Sequence, residues 1–60
     1  MPLIQILHTA VPVERHAEII RAVTTAYADA SGKPADRVWV TIQQIEPTSW
    51  GVGGRPLSAG

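Results

Sequence analysis

Sixty residues make one small domain, spanning 1–60, and a chain of this length buries only about 60% of the surface its unfolded form exposes. There are no cysteines, which removes disulfides and thiolate metal sites, and 5 Lys+Arg against 5 Asp+Glu leave no electrostatic footprint for nucleic acid or an anionic membrane. Yet 45% of the residues are hydrophobic, too many for a disordered segment, so self-association is the remaining way to stabilise so small a core.

Leu3 to His8 (LIQILH) is apolar except at Gln5 and His8, which suits a strand covered on both faces. Ile4, Ile6 and His8 share one face, and Leu3, Gln5 and Leu7 the other. Thr9 to Pro12 is a connection, and Pro12 fits the first position of a helix, with Glu14 favoured by the dipole of its first turn. Val13 to Ala30 then has helical spacing, with His16, Ile19, Ile20, Val23, Ala26, Tyr27 and Ala30 on one stripe. Gly32 closes the helix in a left-handed conformation, and Pro34 prevents its continuation. Pro34 to Asp36 is a turn. Arg37 to Ile45 alternates and is rich in β-branched and aromatic residues, hence a second strand, with Val38, Val40 and Ile42 opposite Arg37, Trp39, Thr41 and Gln43. Glu46 to Gly60 is turn chemistry and predicts a short hairpin and a tail.

Strand, helix, strand is a single βαβ unit of an α/β (α+β) fold with parallel strands and a right-handed crossover. One helix covers one face of a two-stranded sheet. Both strands are apolar on both faces, so the sheet is expected to be completed and covered by a second subunit. No apolar run is long enough to cross a bilayer and no basic region precedes the first apolar stretch, so a soluble cytoplasmic protein is expected. His8 and His16 have no set of partner ligands nearby, and no metal is expected.

Pro2 is the residue with the most chemistry to offer. Methionine before a small residue is commonly removed in cells, and removal of Met1 turns the proline nitrogen from an amide into a secondary amine. Partial burial disfavours the charged form of that amine and lowers its pKa towards neutrality. A base poised there suits proton transfer to and from carbon, and the proline ring fixes its direction.

PLIQIL after the start methionine, EIIRAV on the helix, VWVTIQQI in the second strand and WGVGG beyond it resemble, in this order, the 4-oxalocrotonate tautomerase family. The match runs from Pro2 to about Leu57. The resemblance implies βαβ subunits that pair their sheets and assemble as homohexamers, trimers of dimers. It implies an amino-terminal proline, here Pro2, as general base for enol–keto proton transfer, with no metal or cofactor. The substrate class it suggests is a 2-hydroxy-dienoate or an aryl-pyruvate-like enol acid.

Two departures qualify the likeness. The family prototype holds substrate carboxylates with one arginine in the loop before the helix and one in the second strand. Those places fall at Val11 and Trp39, neither of which forms the bidentate, charge-assisted pair that arginine makes. The bulky aromatic before the glycines is kept as Trp50. A pocket with Trp39 and Trp50 favours a flatter, less charged substrate. Arg37, on the face of Trp39, and Arg15, in the first helical turn, are the candidate replacements, ahead of Arg55; Thr9 ends the first strand and is a further candidate contact. Substrate binding is thus expected at Thr9, Val11, Arg15, Arg37, Trp39 and Trp50. Alternatives are a hydratase or dehalogenase of the same superfamily, for which Glu14 and Glu46 are weak acid candidates, and a non-catalytic oligomeric binding protein.

Overall fold

A computed structural model describes residues 1–59; Gly60, the end of the expected tail, lies outside the described residues. Strand β1 spans Leu3–His8, as the apolar run predicts. Strand β2 spans Trp39–Gln44 and pairs with β1 in parallel, in a register that sets Leu3 against Trp39 and His8 against Gln44. The ladder reaches one residue past each strand: the Trp39 N–H donates to the Pro2 carbonyl at 3.0 Å and the Ile45 N–H to the His8 carbonyl at 2.9 Å. Strand β2 is shorter than its alternating pattern because Arg37 belongs to a 3₁₀ turn, Ala35–Arg37, that delivers the chain into the sheet.

The helical segment divides in two. Pro12 is extended (φ −60°, ψ 140°) and precedes a 3₁₀ turn, Val13–Arg15, and helix α1 follows over His16–Ser31. Pro12 thus stands just outside the first helical turn rather than in it. At the other end Gly32 adopts φ 76°, and its N–H donates to the Ala28 carbonyl, the left-handed closure expected there. Against the sheet α1 presents His16, Ile19, Val23, Thr24 and Ala28, all half-buried. The stripe is therefore rotated from the predicted one: Ile20, Ala26, Tyr27 and Ala30 stay exposed. The reason is the narrowness of the sheet, since two strands cover one row of a helix and leave the flanking apolar row, Ile20 and Tyr27, open.

The tail forms the expected hairpin, β3 (Gly51–Val52) against β4 (Arg55–Pro56). Gly53 and Gly54, at φ 62° and 85°, make its two-residue turn, a geometry that needs positive φ at both positions.

Ile4, Ile6, Val40 and Ile42 are half-buried beneath α1, whereas Leu3, Gln5, Leu7, Trp39, Thr41 and Gln43 form the uncovered face of the sheet. Leu3 is 51% and Leu7 55% exposed, and among the described residues none is fully buried. The protomer extends over 42 × 24 × 15 Å with a Cα radius of gyration of 14.4 Å, against about 10 Å for a compact domain of this length. Its accessible area of 4581 Å² exceeds the roughly 3,800 Å² expected for a monomer of its mass. Shape and area both describe a chain that does not close a core of its own. Among the described residues no helix is long and apolar enough to cross a membrane.

Candidate active site

Parallel pairing decides what lies near Pro2. Strands β1 and β2 begin at the same edge of the sheet, so the segment entering β2 is brought beside the segment entering β1. That segment is tightly built. Gly32 reverses the chain, the Lys33 N–H donates to Ser31 Oγ at 3.1 Å, the Arg37 N–H to the Pro34 carbonyl at 3.0 Å, and the Val38 N–H to the Ala35 carbonyl at 3.1 Å. The 3.0 Å bond from Trp39 to Pro2 then locks the two segments together.

The product is an open cleft of about 540 Å³ lined by Met1, Pro2, Lys33, Pro34, Arg37 and Trp39. Pro2 is half-buried, fixed through its carbonyl, with its nitrogen carried towards the free end of the chain. Met1 is 79% exposed and so is accessible to removal. Trp39, 54% exposed, offers an apolar wall. Two cations, Lys33 and Arg37, border the cleft and no carboxylate does.

Of the residues expected to bind substrate, Arg37 and Trp39 share the cleft with Pro2. Thr9, Val11, Arg15 and Trp50 are not among its lining. Thr9, Val11 and Arg15 follow the far end of β1, and six residues of extended strand separate that end from Pro2 by about 20 Å. Their loop is held by a hydrogen bond between His8 Nδ1 and the Thr9 carbonyl at 3.0 Å. Ala10, between Thr9 and Val11, sits at φ 35°, a strained value for a residue with a Cβ. Trp50 lies beyond the far end of β2, where its carbonyl accepts from the Leu57 N–H at 2.8 Å. Arg55 borders a separate shallow cleft with Val52, Pro56 and Leu57. Glu14 and Glu46 are exposed and away from the Pro2 cleft.

Sequence reasoning missed Lys33. The signal was available: in a parallel βαβ unit every residue of the connection into the second strand lies beside the start of the first. His8 and His16 meet edge to face, ring centroids 5.6 Å apart, at the end of the protomer remote from Pro2, and their Nε2 atoms are buried without partners. Among the described residues no three His, Cys, Asp or Glu side chains cluster as a metal ion would need.

Residues 2–60 match the family model described as Tautomerase enzyme. A probable tautomerase of Ralstonia nicotianae (strain ATCC BAA-1114 / GMI1000) is 40% identical over 60 residues, which cover 98% of this chain and 86% of the relative. A heterohexamer 4-oxalocrotonate tautomerase from Chloroflexus aurantiacus J-10-fl superposes with a TM-score of 0.88 at 36% identity, covering 97% of this chain and 95% of the other. TomN, a 4-oxalocrotonate tautomerase homologue in the tomaymycin biosynthetic pathway, superposes with a TM-score of 0.90 at 29% identity, covering 97% and 91%.

Proposed function

Since the chain belongs to the tautomerase family, we propose that it is a cofactor-independent 4-oxalocrotonate tautomerase-like isomerase of the cytoplasm, with Pro2 as amino-terminal general base once Met1 is removed. The observation that carries this reading is the cleft at Pro2, which joins the chain terminus to an apolar wall and two cations.

In the processed chain the neutral Pro2 nitrogen takes the proton from the enol O–H. The O–H electrons form the carbonyl, and the C=C pair takes a proton at carbon from the Pro2 ammonium. One O–H breaks, one C–H forms, and the base is regenerated. Lys33 and Arg37 border the same cleft and Pro2 is half-buried, and both circumstances disfavour a positive charge on the freed Pro2 amine. Activity is expected to fall at low pH, because the protonated amine accepts no proton.

The apolar Trp39 wall favours a flat, aryl-pyruvate-like enol monoacid over a dicarboxylate dienoate. Thr9, Val11, Arg15 and Trp50 contact substrate only if a neighbouring protomer carries them to this Pro2. A homohexamer built as a trimer of dimers does this when paired sheets run in opposite directions, and the heterohexamer from Chloroflexus aurantiacus supports such an assembly.

The test is enol-to-keto turnover, followed by absorbance, with intact mass confirming loss of Met1. Pro2→Ala retains an amine without the ring and is expected to lose about 10²-fold or more in kcat/KM. A chain with Met1 retained is expected to be inactive. Equal rates in Pro2→Ala and wild type remove Pro2 from the mechanism, and a preference for the dicarboxylate removes the substrate assignment.

A further inference from the structure

We propose that Lys33 and Arg37 together form a carboxylate subsite in the Pro2 cleft and fix the substrate class as a planar monocarboxylate. The proposal rests on reading the Pro2 cleft as the substrate site.

Of the five Lys and Arg residues in the chain, two border this one cleft. Neither is paired with a carboxylate among the described residues; the ion pair there joins Arg21 to Glu18 on the exposed face of α1. Asp36, next to Arg37 in the 3₁₀ turn, makes no ion pair with either cation and does not border the cleft. Two unpaired cations beside a cleft that holds no acid make a site for an anion.

The positions are fixed by backbone, not chance. Gly32, the Ser31 hydroxyl and the Pro34 carbonyl shape the Lys33–Arg37 segment, and the Trp39–Pro2 hydrogen bond sets its register against the terminus. A guanidinium binds a planar carboxylate through two parallel N–H bonds, and an ammonium adds a movable point charge. The Trp39 indole beside them suits a flat conjugated body attached to that carboxylate. The arrangement restores, from the connection into β2, a cationic grip that Val11 and Trp39 do not supply.

Trans-cinnamate and its neutral isostere cinnamamide are the probes, with binding measured by calorimetry so that turnover is not needed. Wild type is expected to bind cinnamate and to discriminate against the amide. Lys33→Gln and Arg37→Gln are each expected to weaken cinnamate about tenfold, and the double variant by about a hundredfold, while Lys33→Arg stays within about twofold. Arg21→Gln, away from the cleft, is the control. In turnover of an aryl enol acid the Gln variants are expected to raise KM more than they lower kcat. They should also move the acid limb of the pH profile upward, because a cation beside Pro2 is gone. Equal binding of cinnamate and cinnamamide, or unchanged cinnamate affinity in both Gln variants, overturns the subsite. Charge-dependent binding without turnover supports the subsite and refutes the tautomerase reading, whereas turnover indifferent to both substitutions does the reverse.

Discussion

Leu7→Asp tests whether the uncovered sheet face is an interface. Leu7 lies near the end of β1, opposite Gln43 and on the same face as Leu3 and Trp39. It is 55% exposed, so about half of the roughly 1.5–3 kcal/mol gained by fully burying a leucine is still available, about 1 kcal/mol per protomer. In a hexamer that sum reaches roughly 6 kcal/mol, before Leu3 and the other residues of the face are counted. An aspartate there forfeits this gain and places a carboxylate in the same apolar contact, at a further cost of several kcal/mol per site. A protomer with no fully buried residue among those described has little stability to draw on, so Leu7→Asp is expected to dissociate and unfold together at micromolar concentration. Sedimentation velocity and circular dichroism on the same samples read both events. A variant that keeps the wild-type mass and melting temperature would refute the assignment of this face.

The thermal midpoint of the wild type is expected to rise with protein concentration, as it does wherever folding and assembly are one equilibrium; calorimetry at several concentrations reads it, and a constant midpoint contradicts it. Gly32→Ala meets no atom within 4 Å, so its expected cost of about 1–2 kcal/mol is purely the left-handed backbone and appears in denaturant titration. His16→Leu removes a buried, unpartnered Nε2 from the contact with His8 and is expected to hold or raise the midpoint, a fall of several degrees being the contrary result.

The sequence was most legible where one local signal stood alone. LIQILH has no rival reading, and β1 begins and ends where the run does. Gly32 before Lys33-Pro34 closed the helix as its chemistry demands. Reading grew less accurate where tertiary shape chooses between local options. The helix stripe was rotated because a two-stranded sheet accepts only one row of it. Arg37 looked like strand by alternation but went to a turn, because Pro34 and Ala35 offered carbonyls to the Arg37 and Val38 N–H groups. Pro2 drew attention by position and by family likeness, whereas Lys33 carried no motif and emerged only from the spatial closeness of two strand starts.

That closeness has a consequence for how many chains make one site. Pro2 stands at the start of β1, and Thr9, Val11 and Arg15 stand after its end, so one protomer does not bring them together. If a neighbouring sheet paired in the opposite direction supplies them, the same contact that covers the sheet also completes the site. Mixing two inactive variants separates this from a site contained in one chain. Take Pro2→Ala with a variant carrying Val11→Glu, which places a carboxylate where an anionic substrate is expected. In a mixed two-fold pair, one site receives both changes and the other receives neither. Random re-pairing of equal amounts makes half the pairs mixed, and half of their sites intact, so about a quarter of wild-type activity is expected. A site built within one protomer holds one defect in every copy, and mixing restores nothing. Activity recovered only after the variants are dissociated and reassembled together would therefore place Val11 and the Pro2 of one site on different chains.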